Sequence, residues 1–290
     1  MCKPASMILT KDGCFHDPDS DRHQRIIEIH KLNADGARGP NIVPVEIVPP
    51  RENYSLPLEL WVFKTDCDDA ILPDWYTNDP VAAESRARVG LLAWAADHIK
   101  SVGEQVVEIG QERIAVGVCR QTINGGGGSA YGNATQTING GRGSAYDNAT
   151  QTVNGGAGYA YGNATQTING GCGNVYNNAT QTINGGRGSA YDNATQTVNG
   201  GEGRAHDNAT QTINGGCGNV YNNATQTING GLGCAYDNAT QTINGGRGSA
   251  YDNATQTVNG GLGCAYDNAT QTLNGGRGYA YDSATVTDNR

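Results

Sequence analysis

From Gln121 onward the chain repeats every fifteen residues, with Gln at 121, 136, 151, 166, 181, 196, 211, 226, 241, 256 and 271. Val286 stands at the twelfth equivalent position, so eleven units cover Gln121 to Thr285. The unit reads Q-T-[IVL]-N-G-G-x-G-x-[AV]-[YH]-[DGN]-N-A-T, with Ser283 replacing the last Asn. Fifteen residues cannot hold a pair of packed helices, and the paired glycines would break either one. The segments between glycines alternate instead. In A-T-Q-T-I-N, Ala134, Gln136 and Ile138 share one face, and Thr135 and Thr137 the other. Ile is the apolar member, so its face points inward. In S-A-Y, Ala130 points inward, and Ser129 and Tyr131 outward. Asn-Gly-Gly and the Asp-Asn or Gly-Asn pairs supply the corners.

Each unit is therefore one coil of two short strands. Eleven coils stacked as parallel strands about 4.8 Å apart make a rod of roughly 50 Å. The predicted fold is mainly β: a parallel β-solenoid over 120–290, preceded by a small α+β capping domain over 1–119. With 43 glycines the chain is glycine-rich, but it lacks glycine at every third position and has only 9 prolines, which excludes collagen. The core must be thin, filled by Ala, Val, Ile and Gly. The inward Gln is tolerable only if its amide bonds to the Gln above and below. Asn139 and Asn148 are expected to form similar ladders at the corners. The stretch QTINGGRGSAYDNATQTVNGG occurs three times, from Gln136, Gln181 and Gln241. Gene-level copying produces such blocks, so uniformity is no evidence of function.

The first 119 residues read as an ordinary α+β domain. R-I-I-E-I-H, N-I-V-P-V-E-I-V and L-E-L-W-V-F are expected strands. A helix is expected from Asp79-Pro80 to about Ile99, with Val81, Ser85, Val89, Leu92, Ala96 and Ile99 as its inner stripe. Val106–Ile109 and Arg113–Val116 are expected strands leading into the first coil. The domain's expected role is to cap the rod, because an open end exposes unpaired backbone groups.

Other chemistries find little support. A net charge of −9 argues against a nucleic-acid partner. No apolar run is long enough for a transmembrane helix, and no signal-peptide core is visible. His16, His23, His30 and His98 suggest no nucleophile–base–acid set, and identical side chains at every coil suit a periodic surface, so no enzyme and no cofactor are expected. The eight cysteines include no CxxC zinc spacing. Cys172 and Cys217 lie three coils apart and Cys234 and Cys264 two, beyond the roughly 7 Å reach of a disulfide. Free thiols predict a cytoplasmic protein. G-G-x-G resembles a calcium-binding nonapeptide, but its acid comes two positions late, as at Asp147. Asp17, Asp19, Asp21 and Glu28 have EF-hand spacing, but Arg22 stands where Gly is needed, so a solvated acidic loop and no metal site are expected. Asn-Ala-Thr, present in ten coils from Asn133 to Asn268, matches the glycosylation pattern; without a signal peptide it reads as a corner.

Two outward rows remain. One pairs Thr135 with Thr137, Thr150 with Thr152, Thr165 with Thr167, Thr180 with Thr182, Thr195 with Thr197, Thr210 with Thr212, Thr225 with Thr227, Thr240 with Thr242, Thr255 with Thr257, Thr270 with Thr272, and Thr285 with Thr287. Neighbouring threonines lie about 6.8 Å apart within a coil and about 4.8 Å apart between coils. Thr is stiff at χ1, so the array is regular, uncharged and half apolar. The other row is Tyr131, Tyr146, Tyr161, Tyr176, Tyr191, Tyr221, Tyr236, Tyr251, Tyr266 and Tyr281, interrupted by His206. It can stack within the rod or pair with a second copy.

Thr-x-Thr rows on a β-solenoid resemble those of insect antifreeze proteins, and T-Q-T with one Tyr per coil resembles the bacterial ice-nucleation repeats. A-Y-D-S-A-T-V-T at the end is similar to other bacterial arrays built on A-Y-G-N-A-T-V. The resemblance covers 121–287. It departs in coil length, and A-Y-D-N-A-T-Q-T stands where the nucleation repeat has G-Y-G-S-T-Q-T. The insect proteins are secreted, and many are disulfide-stapled. The resemblance implies that the threonines bind ice. The alternative is a self-assembling scaffold or filament using the Tyr row and the open end, with the threonines serving only as strand residues.

Overall fold

A computed structural model describes residues 5–19, 22–32, 41–65 and 72–290. The capping region holds an antiparallel sheet of β1 (Ser6–Thr10), β2 (Cys14–Phe15), β3 (Ile42–Val48) and β4 (Val62–Thr65), in the order β2-β1-β3-β4. Helices α1 (His23–Ile29), α2 (Asp74–Thr77) and α3 (Pro80–His98) accompany it. Asp79 caps α3 by accepting a hydrogen bond from the Ala82 N–H at 2.9 Å, and Pro80 follows at the first turn.

Two expectations for this region need correction. R-I-I-E-I-H forms α1, not a strand, and buries His23, Ile26 and Ile27 at helical spacing. The inner stripe of α3 is Ala83, Ala87, Gly90, Leu91, Trp94, Ala95 and His98, while Val81, Val89 and Leu92 are exposed. The helix lies so close to β2 that a Cβ on Gly90 would sit 2.6 Å from the Cys14 Sγ. Only glycine fits at that position. L-E-L-W-V-F divides into a 3-10 turn at Leu58–Leu60 and strand β4.

The rest of the chain is the solenoid, with two sheets of thirteen parallel strands each. One sheet carries the Thr-x-Thr strands, beginning at β6 (Glu104–Val107) and β8 (Arg120–Ile123); the other begins at β5 (Ile99–Lys100), β7 (Glu112–Ala115) and β9 (Gly127–Ala130). Within the array each residue pairs with the one fifteen places on, as Thr135 with Thr150. Three strands, β5 to β7, thus extend the solenoid ahead of the eleven units visible in the sequence, and the strand Thr285–Asp288 completes it beyond them. The corner after β6 holds one extra residue, because Val107 pairs with Ile123 while Glu112 pairs with Gly127. Thirteen strands at about 4.8 Å make the rod roughly 58 Å long.

Three buried files fill the interior. Ile and Val from Val107 to Leu273 form one, and the alanines with Cys119 and two valines form another. The third is the glutamine ladder: each Nε2 donates to the Oε1 one coil earlier, at 2.5–2.6 Å from Gln136 to Gln271. It continues into the cap through Gln121 to Gln105 at 2.8 Å, and Gln105 donates to the His98 carbonyl. Gly143 and its equivalents leave room for these amides, since a Cβ there would lie 2.3 Å from the Gln136 Oε1. At the far end Val286 replaces Gln, and the Oε1 of Gln271 is buried without a partner.

The corners explain the variable twelfth position of the unit. It holds φ between 56° and 61° in its Asp and Asn versions and near 70° at Gly132 and Gly162, a region open mainly to Gly, Asn and Asp. The Asp carboxylates at Asp147, Asp192, Asp237, Asp252 and Asp267 each accept from the backbone N–H one coil earlier, at 3.0–3.3 Å. The Asn139 file forms the expected amide ladder, at 3.0–3.2 Å. The Asn148 file does not: its side chains are exposed, and only its backbone N–H groups bond between coils, as Asn148 to the Gly132 carbonyl at 3.2 Å.

Candidate functional site

The threonine face follows from strict alternation. In every T-Q-T strand the Gln is buried, the first Thr is exposed and the second is half-buried beside the corner. Parallel pairing holds Thr above Thr in both files from Thr135/Thr137 to Thr285/Thr287. All twenty-two threonines therefore lie on one sheet. The structure adds Thr122, in register with Thr137. R-Q-T at 120–122 was its signal, hidden because Arg120 takes the place of the first Thr. The file of first threonines runs through Arg120 to Glu104, and that of second threonines through Thr122 to Val106. Charge thus bounds the face at the capped end. Along one side runs the locked Asn139 amide ladder. Arg142, Arg187 and Arg247 open strands of the opposite sheet, and the Asp residues occupy corners.

The Tyr row is stacked within the rod. Successive rings from Tyr131 to Tyr281, His206 included, have centroids 4.6–5.1 Å apart and planes within 11° of parallel. Tyr54 of the cap packs on Tyr131 at 5.3 Å and helps bury it to 7% exposure, so this member cannot meet another molecule. The other stacked tyrosines are half-buried, and Tyr281 at the last coil is exposed.

Burial within this stack lowers the pKa of His206 below the ordinary imidazole value of 6.5. The unfolded chain then binds the proton more readily than the folded one, so stability is full above 6.5 and falls as pH drops below it. The expected result is that His206→Tyr loses less thermal stability on acidification than the native chain. Parallel unfolding midpoints across that window are the check. His98, buried in the cap and lowered to about 4, contributes the same sign in both proteins.

The cap histidines make structural contacts. His16 Nε2 meets Asp97 at 2.8 Å, His30 the His16 carbonyl at 2.8 Å, and His98 Nδ1 donates to the Trp94 carbonyl at 2.8 Å. Asp17 is buried against Arg25, whose Nε lies 2.5 Å away, and Asp19 pairs with Arg113; Asp21 lies outside the described residues. Among the described residues no group of acidic, His and Cys side chains could hold a metal, and the six described cysteines are free thiols. Cys2 and Cys67 lie outside them. No described helix is long and apolar enough to cross a membrane. Comparison with protein-family models, with curated proteins and with solved structures gives no match.

Proposed function

We propose that the Thr-x-Thr face binds ice and that the chain is a non-enzymatic ice-binding rod. The observation carrying this reading is the register: two files of β-branched hydroxyl residues, repeating in two dimensions and free of charge from Thr135 to Thr287. Docking to a crystal lattice needs such a repeat and little side-chain freedom to lose. The unpaired cysteines support a reducing compartment.

The test is thermal hysteresis and ice-recrystallisation inhibition by the full chain. It is compared with a variant carrying Thr195→Lys, Thr210→Lys and Thr225→Lys. The native chain is expected to restrain ice growth and the variant to lose most of that effect. Arg120 already sits in the same file, so basic side chains there are compatible with the fold. Ice growth unchanged by the native chain would leave the threonines as strand residues. A self-assembling scaffold then replaces this reading, using the half-buried rings of the Tyr row, and light scattering at high concentration would have to show oligomers.

A further inference from the structure

We propose that the cleft between the cap and the first glycine-rich coil binds a single neutral, hydroxyl-rich ring the size of a monosaccharide. The first unit alone has four consecutive glycines, Gly125 to Gly128. At the position of Gly127 the later coils carry side chains such as Arg142, Cys172, Glu202 and Leu232. No side chain rises there, directly beside the cap. The result is a cleft of about 230 Å³. Gly127, Ser129 and Ile114 line it from the rod, and Tyr54, Trp94 and His98 from the cap. It is smaller than the ~300–1,000 Å³ of drug-sized sites, which limits the occupant to about one ring.

His98 supplies the polar anchor. It is 3% exposed, and its Nδ1–H is committed to the Trp94 carbonyl at 2.8 Å. The lone pair is therefore on Nε2, which no described residue hydrogen-bonds. Burial lowers the imidazole pKa to about 4, so the ring stays a neutral acceptor at ordinary pH. The Glu112 carboxylate and the Ser129 hydroxyl add further acceptors.

The same geometry disfavours ions. Trp94 lies flat on His98 at 4.5 Å, and Tyr131 is held between Tyr54 and Tyr146. Cation–π binding needs a free ring face, and these are occupied. Arg113 lines the cleft with Glu112 and repels cations, while its guanidinium is tied to the Pro18 carbonyl at 2.7 Å and to Asp19 at 3.3 Å. The opposite charges of Glu112 and Arg113 offset each other at the cleft, so neither an anion nor a cation gains a net attraction. Acceptors on His98, Glu112 and Ser129, in a cleft whose two lining charges offset each other, call for a ligand that donates hydroxyl protons.

The experiment titrates the full chain with the methyl glycosides of glucose, galactose, mannose and N-acetylglucosamine. Saturation-transfer NMR and tryptophan fluorescence report binding, with choline and acetate as ionic controls. At least one glycoside is expected to saturate in the millimolar range, and Gly127→Leu to weaken it at least about tenfold. Leu232 and Leu262 occupy this position in later coils, and a Cβ at Gly127 meets nothing nearer than 3.4 Å, so the variant keeps the fold. Circular dichroism verifies this. The proposal is overturned if no glycoside saturates, if Gly127→Leu binds as well as the native chain, or if choline or acetate binds in preference.

Discussion

Replacing Gln196 with Leu lowers the stability of the rod by about 2–6 kcal/mol, because it strands two buried groups at about 1–3 kcal/mol each. Gln196 donates to the Gln181 Oε1 at 2.6 Å and accepts from the Gln211 Nε2 at 2.5 Å. Without it, the Gln181 acceptor and the Gln211 donor remain in a dry interior. The double variant Gln196→Leu, Gln211→Leu still strands only the Gln181 acceptor and one N–H of Gln226, whose Nε2 keeps its bond to the Gly218 carbonyl at 3.0 Å. Its cost is therefore well below twice that of the single change. Denaturation midpoints of the two variants check both parts, and simple additivity would contradict the ladder account. The chain itself breaks the ladder at its last step, where Val286 orphans one acceptor.

Gly231→Ala is the second large effect, expected to cost more than about 2 kcal/mol. Gly231 has φ of 80°, where an L side chain alone costs about 1–2 kcal/mol. Its added Cβ would also lie 2.4 Å from the Gly216 carbonyl oxygen, a fixed backbone atom of the coil before. Relief requires the two coils to part and their parallel hydrogen bonds to lengthen. Amide exchange should therefore accelerate first in the coils flanking Gly231, and a uniform rise along the rod would contradict the local clash.

The rod was legible because its period is written in residue types that each answer one geometric demand. Gln136, Ile138 and Ala134 alternate with Thr135 and Thr137 as a strand requires, and the structure buries and exposes them accordingly. The capped-end strands escaped as part of the array because the extra residue between Glu104 and Arg120 breaks the period. Gln105, Ala115 and Gly117 were their remaining signals, standing in the positions of Gln121, Ala130 and Gly132. The cap was read less well. Helical spacing in α3 was anchored on Val81, Val89 and Leu92, whereas the buried face is the one that carries Ala83, Ala87 and Gly90, with Gly90 against Cys14 of β2. In α1 the β-branched run outweighed the helical spacing of His23, Ile26 and Ile27. The threonine files were visible as a pattern, but Thr122 became a member only through register with Thr137.

The glutamine and asparagine ladders share one direction: every Nδ2 or Nε2 donates toward the cap, and every amide oxygen faces the other end. Peptide dipoles in the sheets alternate and nearly cancel. The side-chain amides do not, so the rod carries a permanent axial dipole, positive at the cap and negative at the last coil. Arg290, whose guanidinium donates to the Gly276 carbonyl at 2.9 Å, is paired with Asp288 at 2.6 Å, so the two side chains together leave the negative pole uncompensated. Two such rods lying side by side lower their electrostatic energy by running in opposite directions. A charged surface meeting the rod end-on distinguishes one pole from the other.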